Sequence, residues 1–282
     1  MQFNQSKSEV FVPDSVDVEE ALGRITHLCI AAHQDDIEIL AYHGIAECFG
    51  RRDKWFGGVV VTDGAGSPRS GIYADYTGEA MQKVRCHEQR KAAYVGEYGV
   101  QVQLAYPSAS VKETGKVEVC SDIKMLLAAA QPEIVYLHNP ADKHDTHIAV
   151  LLRCLEALRS MPKEKRPKKV YGCEVWRDLD WLLDEDKQLL PVGDYNNIAA
   201  ALIGVFDSQI SGGKRYDLAT AGRRLANATY NNPHAVDQSE ALTCALDLTP
   251  LIEDDTLSIQ AYTLDYIERF KSDVYERIQK FM

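Results

Sequence analysis

Apolar positions along the first two thirds of the chain alternate between two patterns. Short, nearly continuous apolar runs at residues 25–32, 55–62, 100–106, 134–137 and 170–176 read as strands buried on both faces. Between them, residues 37–49, 77–98, 119–130 and 146–159 carry apolar side chains at helical spacing, and Gly50 and Gly99 stand just past the ends of the first two. Residues 63–71 form a loop by their glycines and proline, and a basic hinge covers 162–169. This alternation predicts an α/β fold: a doubly wound, mostly parallel, Rossmann-like sheet with helices on both faces and right-handed crossovers. Beyond Asp178 it weakens. Residues 195–209, 216–228 and 257–281 read as helices, with one short strand near 245–251. No long Gly, Ser or Pro linker precedes this part. The expectation is therefore a single domain over 1–282, with a sheet core over about 1–178 and a mostly helical C-terminal cap over about 179–282.

Composition narrows the class without naming a reaction. Hydrophobic content of 45% and charged content of 26% are those of ordinary globular proteins. No run of about eighteen apolar residues occurs, and the polar first ten residues carry no secretory signal, so no membrane association is expected. Seven scattered cysteines, with no Cys-x-x-Cys pair, read as reduced core residues and point to the cytoplasm. A net charge of −11 argues against nucleic acid as a partner. A homo-oligomer is compatible with the sequence, which carries no specific signal for one.

Candidate chemistry collects where two strands end. After the first strand, His33-Gln34-Asp35-Asp36 places one imidazole and two carboxylates at a strand-to-helix turn, and ligands of open α/β sheets bind beyond strand carboxyl ends. His33 and Asp36 suit zinc; helix capping is the competing role for either aspartate. The fourth strand ends in residues 138–147, with His138, His144 and His147. A catalytic zinc takes three protein ligands and leaves one position for water, so His33 and Asp36 need one histidine from this loop. A structural role is the more natural expectation for His138.

These residues resemble a family. His33-Gln34-Asp35-Asp36 is similar to the His-Pro-Asp-Asp signature of the PIG-L-like (LmbE-like) zinc N-deacetylases, and Asn139 to His147 to their Asn-Pro-x-Asp-x-His-x-x-His motif. Between them Arg85 to Glu88 resembles the family's Arg-x-x-Glu helix, after Thr62-Asp63-Gly64 for its Thr-x-Gly loop, and Ser208-Gln209 resembles a Ser-Gln pair. Gln34 replaces the usual proline, Ile37 the usual glutamate, and Asp145-Thr146 the usual Pro-Asp; none of these is a ligand position. The last two positions normally supply bonds that orient ligands.

The resemblance implies one Zn2+ per chain on His33, Asp36 and His147, Asp35 as general base, and His144, in its protonated form, as a stabiliser of the oxyanion. It implies removal of an N-acetyl group from an amino sugar or its conjugate. Arg85, Asp63, Arg69 and His234 are candidate substrate contacts, Arg85 through the family helix, Asp63 and Arg69 from the loop after the second strand, and His234 from a loop of the cap. A metal-dependent phosphohydrolase, which favours magnesium and a more oxygen-rich ligand set, and a non-catalytic metal-binding protein are the alternatives.

Overall fold

The computed structural model describes residues 1–282. Eight strands form one mixed sheet: β1 (Glu9–Phe11), β2 (His27–Ala31), β3 (Phe56–Thr62), β4 (Val100–Tyr106), β5 (Ile134–His138), β6 (Lys169–Cys173), β7 (Lys187–Pro191) and β8 (Leu242–Asp247). Their order across the sheet is β1-β4-β3-β2-β5-β6-β8-β7. The five central strands are parallel, as the alternating pattern predicts, while β1, β8 and β7 are antiparallel additions at the two edges. Helices cover both faces, over two cores: one around Leu28, Ile30, Val59, Val102 and Leu155, the other around Cys29, Ile37, Val60, Tyr136 and Phe206.

Several differences from the sequence expectation have identifiable causes. β1 is three residues long and β7 ends in Pro191, so both are short edge strands with little periodicity to read. The strand expected at 245–251 lies at Leu242–Asp247 because Pro250 opens a helical turn, Pro250–Glu253. The fifth strand stops at Cys173, and Val175 and Trp176 beyond it line a groove. The helix expected over 37–49 breaks into Asp36–Leu40 and Tyr42–Cys48. Arg224 of the cap explains the break. Its guanidinium donates to the carbonyls of Glu38 and Ile39, the acceptors that Tyr42 and His43 would use in an unbroken helix.

Strand succession runs outward from β2 to β3 and β4 on one side and from β5 to β6 on the other. β2 and β5 are therefore the neighbours at which the winding reverses, and the crevice beyond their carboxyl ends is where such sheets bind ligands. His27 pairs with Ile134 and Cys29 with Tyr136, so the two strand ends are level. No helix is long and apolar enough to cross a membrane.

Candidate metal centre

Three donor atoms converge in that crevice. His33 Nδ1 lies 3.1 Å from Asp36 Oδ2 and 3.2 Å from His147 Nε2, and the latter two atoms are 3.2 Å apart. A tetrahedral zinc with ligands at about 2.0–2.1 Å spaces them about 3.3 Å apart. The triangle thus fits the ion closely. Asp36 and His147 are buried, whereas the His33 side chain is 24% exposed and faces a cavity of about 410 Å3, which leaves an open side. The backbone N–H of His33 donates to Asp36 Oδ2 and fixes the turn.

His147 Nδ1 lies 3.2 Å from Asp142 Oδ2. With the proton on Nδ1, the lone pair of Nε2 points into the triangle. The two carboxylates, Asp36 and Asp142, outweigh burial and raise the imidazole to about 9. Burial works against the Asp36 charge, yet His147 and His33 hold its carboxyl well below the usual carboxylate range. Asp142 thus orients the His147 ring. The Asn-Pro-x-Asp stretch already contained it, but spacing alone does not tell that its side chain turns back toward His147.

Asp35, between the ligands, has a φ of 83°, a conformation rare outside glycine that Asp tolerates better than most. Its Oδ2 accepts from Arg85 at 3.0 Å, and its backbone N–H donates to Gln89 Oε1. Burial pushes its carboxyl up to about 6 against the pull of Arg85. Arg85 is itself only 1% exposed. It donates to Glu88 and Ser208 and to the carbonyl of Gln34, and Glu88 accepts from both the N–H and the hydroxyl of Ser208 at 2.7 Å. This network joins the family helix to the Ser-Gln pair and leaves Arg85 at the cavity edge with both terminal nitrogens engaged and its Nε unpartnered.

His144 caps the helix Asp145–Arg159, its Nδ1 accepting from the N–H of Thr146. Nε2 therefore carries the proton of the neutral ring. Burial, with His147 and His33 nearby, lowers its pKa, so the neutral form prevails around pH 7. His138 is fully buried and stacked on His147 at 3.9 Å between centroids, and its Nε2 accepts the N–H of Ala32 at 2.9 Å. That bond occupies the lone pair a metal would need.

The other candidates lie apart from the triangle. Asp63 accepts from Gln82 and from the N–H of Ala65, and it lines a separate polar cavity of about 350 Å3 behind Gln34. Arg69 is exposed and donates to the Ala65 carbonyl. His234 sits on an exposed loop and lines neither cavity. Gln34 is buried, its amide donating to the Thr62 carbonyl and to Gln103. Glu38 does not replace the missing glutamate beside the metal triangle; it accepts from Gln89 and Tyr98, and burial raises it to about 7. Trp176, Lys214 and Tyr216 also line the site cavity. Tyr216 lies near enough to Asp35 and Asp36 for their charges to add to burial in raising its phenol. It comes from the cap helix Tyr216–Tyr230, which no local motif ties to the strand ends.

The family model described as PIG-L, GlcNAc-PI de-N-acetylase, matches residues 28–158. Solved structures with the same fold include a 4-carboxy-2-hydroxymuconate hydratase from Pseudomonas putida, at 17% identity and a TM-score of 0.58, over 79% of this chain and 95% of that one. A conserved protein from Thermus thermophilus has 14% identity and a TM-score of 0.58, over 83% and 99%. N,N′-diacetylchitobiose deacetylase from Pyrococcus horikoshii has 16% identity and a TM-score of 0.57, over 78% and 83%. No curated protein matches the chain. The matched segment holds the whole donor triangle together with Asp35, Arg85 and His144, and over residues 28–158 this chain is similar to the PIG-L family.

Proposed function

We propose that this protein is a zinc-dependent N-deacetylase of an amino sugar or amino-sugar conjugate. The observation that carries the proposal is the triangle of His33, Asp36 and His147, with donor spacings suited to tetrahedral zinc and an open side on a cavity that Asp35 and His144 also line. The family match and the deacetylases among the similar structures support the reaction class. Two nitrogens and one oxygen are the donor set of catalytic zinc, and they disfavour magnesium phosphohydrolase chemistry.

When bound, zinc acidifies a water toward about pH 7 and polarises an amide carbonyl. Asp35 then acts as general base through Oδ1, because Arg85 occupies Oδ2, and it returns the proton to the departing amine. Its pKa of about 6 keeps it ionised at neutral pH yet basic enough to accept a proton. The Nε2–H of neutral His144 is the donor for the developing oxyanion. Arg85 acts by holding Asp35. The sugar hydroxyls occupy the polar side of the cavity, near Ser67, Ser108, Lys112 and Gln209.

The chain works as one unit over 1–282 in this reading, since β7 and β8 extend the central sheet and Tyr216 of the cap reaches the site. A cytoplasmic location fits the seven unpaired cysteines. The test is a panel of N-acetyl amino sugars assayed for free amine with added zinc and after chelation. Zinc-dependent amine release supports the proposal; release of phosphate from phosphomonoesters, with no amine from any sugar, overturns it.

A further inference from the structure

Adjoining the polar cavity at Asp36 lies a small groove of about 140 Å3. Its walls are Ile39 from the helix that carries Asp36, Val175 and Trp176 from the end of β6, and Tyr216, Ala219 and Thr220 from the cap helix. Arg223 closes one end, its guanidinium donating to the Val175 carbonyl. Asp36, Trp176 and Tyr216 line both the groove and the polar cavity, so the two spaces meet at a member of the donor triangle. Trp176 and Tyr216 stand edge to face at 6.0 Å across that junction.

An amide held at the triangle has two substituents that leave in different directions. The sugar, rich in hydroxyls, suits the polar cavity. Five of the eight side chains lining the groove are hydrophobic, and the Arg223 guanidinium there is engaged by the Val175 carbonyl, so an apolar chain suits it better than a sugar hydroxyl left without a partner. We infer that the groove takes the acyl group, and that the preferred substrate carries an N-acyl chain longer than acetyl, of about four to six carbons. This inference rests on the N-deacetylase reading above and extends it to longer acyl groups. An apolar cavity of about 150 Å3 accommodates a molecule the size of benzene, and an acetyl methyl leaves most of the present groove unfilled.

The test compares N-acetyl-, N-butanoyl-, N-hexanoyl- and N-decanoyl-glucosamine by free-amine release from the full-length, zinc-supplied protein. Each methylene buried from water favours the longer chain. With the groove half open, kcat/KM is expected to rise at least about tenfold from acetyl to hexanoyl and to stop rising by decanoyl. Ala219 is exposed at the groove mouth, so Ala219→Phe narrows the groove without entering the core. It is expected to lower the hexanoyl-to-acetyl ratio about tenfold. A second readout is independent of turnover: calorimetric binding of hexanoate against acetate, expected to favour hexanoate at least about tenfold and to lose that preference in Ala219→Phe. A flat acyl series, equal binding of the two carboxylates, or an unchanged ratio in the variant overturns the inference. Absence of amine release from every sugar, with hexanoate still preferred, overturns the N-deacetylase reading and leaves the groove assignment standing.

Discussion

Asp142 Oδ2 lies 3.2 Å from His147 Nδ1, and His147 Nε2 in turn lies 3.2 Å from Asp36 Oδ2. A carboxylate behind an imidazole fixes its tautomer and raises its basicity as a ligand. Asp142→Asn is therefore expected to weaken zinc binding about 10- to 100-fold, read by competition with a chromophoric chelator, while the circular dichroism of the fold is preserved. Unchanged zinc affinity would remove Asp142 from the account.

Asp35 and Asp36 are neighbours in sequence with opposite electrostatic surroundings: one is raised to about 6 and the other held well below the ordinary range. Asp35→Asn should retain one zinc per chain and lose about 10²- to 10⁴-fold in kcat. In the unmodified protein kcat/KM should rise with pH through an acid limb near 6, as Asp35 gives up its proton. Arg85 pulls that limb down, so Arg85→Met should move it to higher pH. A limb that stays in place would separate Arg85 from the base.

The same Arg85 is a buried ion inside a network with Glu88 and Ser208. Removing one member of a buried pair typically costs about 3–5 kcal/mol. Arg85→Met and Glu88→Leu should each lower the melting temperature substantially, and the double variant should lose less than the sum because each single change strands the other's charge. Strict additivity would show that the pair is not coupled.

How much of this was legible in the sequence follows from what holds each residue. His33 and Asp36 follow directly on β2, whose apolar run is unambiguous, so their place at a strand end is legible; His147, on the helix after β5, is distinguished from the other histidines of its loop only by the family resemblance. Asp142 and the double role of Arg85 are not legible, because they depend on side-chain direction. Tyr216 and the groove were hidden for a different reason: they come from the cap, whose helices meet the sheet only through tertiary packing. The edge strands β1 and β7 were too short for periodicity to speak. Asp63, Arg69 and His234 stand on loops near the site in sequence, but their side chains turn elsewhere, which sequence proximity does not reveal.

The His147 and Asp36 pair also predicts how the chelated protein responds to pH. An imidazole raised to about 9 contributes stability that is fully present below about 6.5 and is lost as pH rises through about 9. Chelated protein should therefore lose up to about 3 kcal/mol between those values, seen as a falling urea midpoint. A midpoint that climbs over that interval would contradict the assignment of His147 as the protonated partner.

The most direct measurement titrates metal-stripped protein with zinc while following amine release from an N-acyl glucosamine and the zinc bound per chain. Activity rising in proportion to bound zinc and saturating at one ion per chain, with His147→Ala neither binding tightly nor turning over, is the predicted result. Full amine release from the stripped protein, or zinc bound at one per chain with no amine released from any N-acyl sugar, contradicts the account.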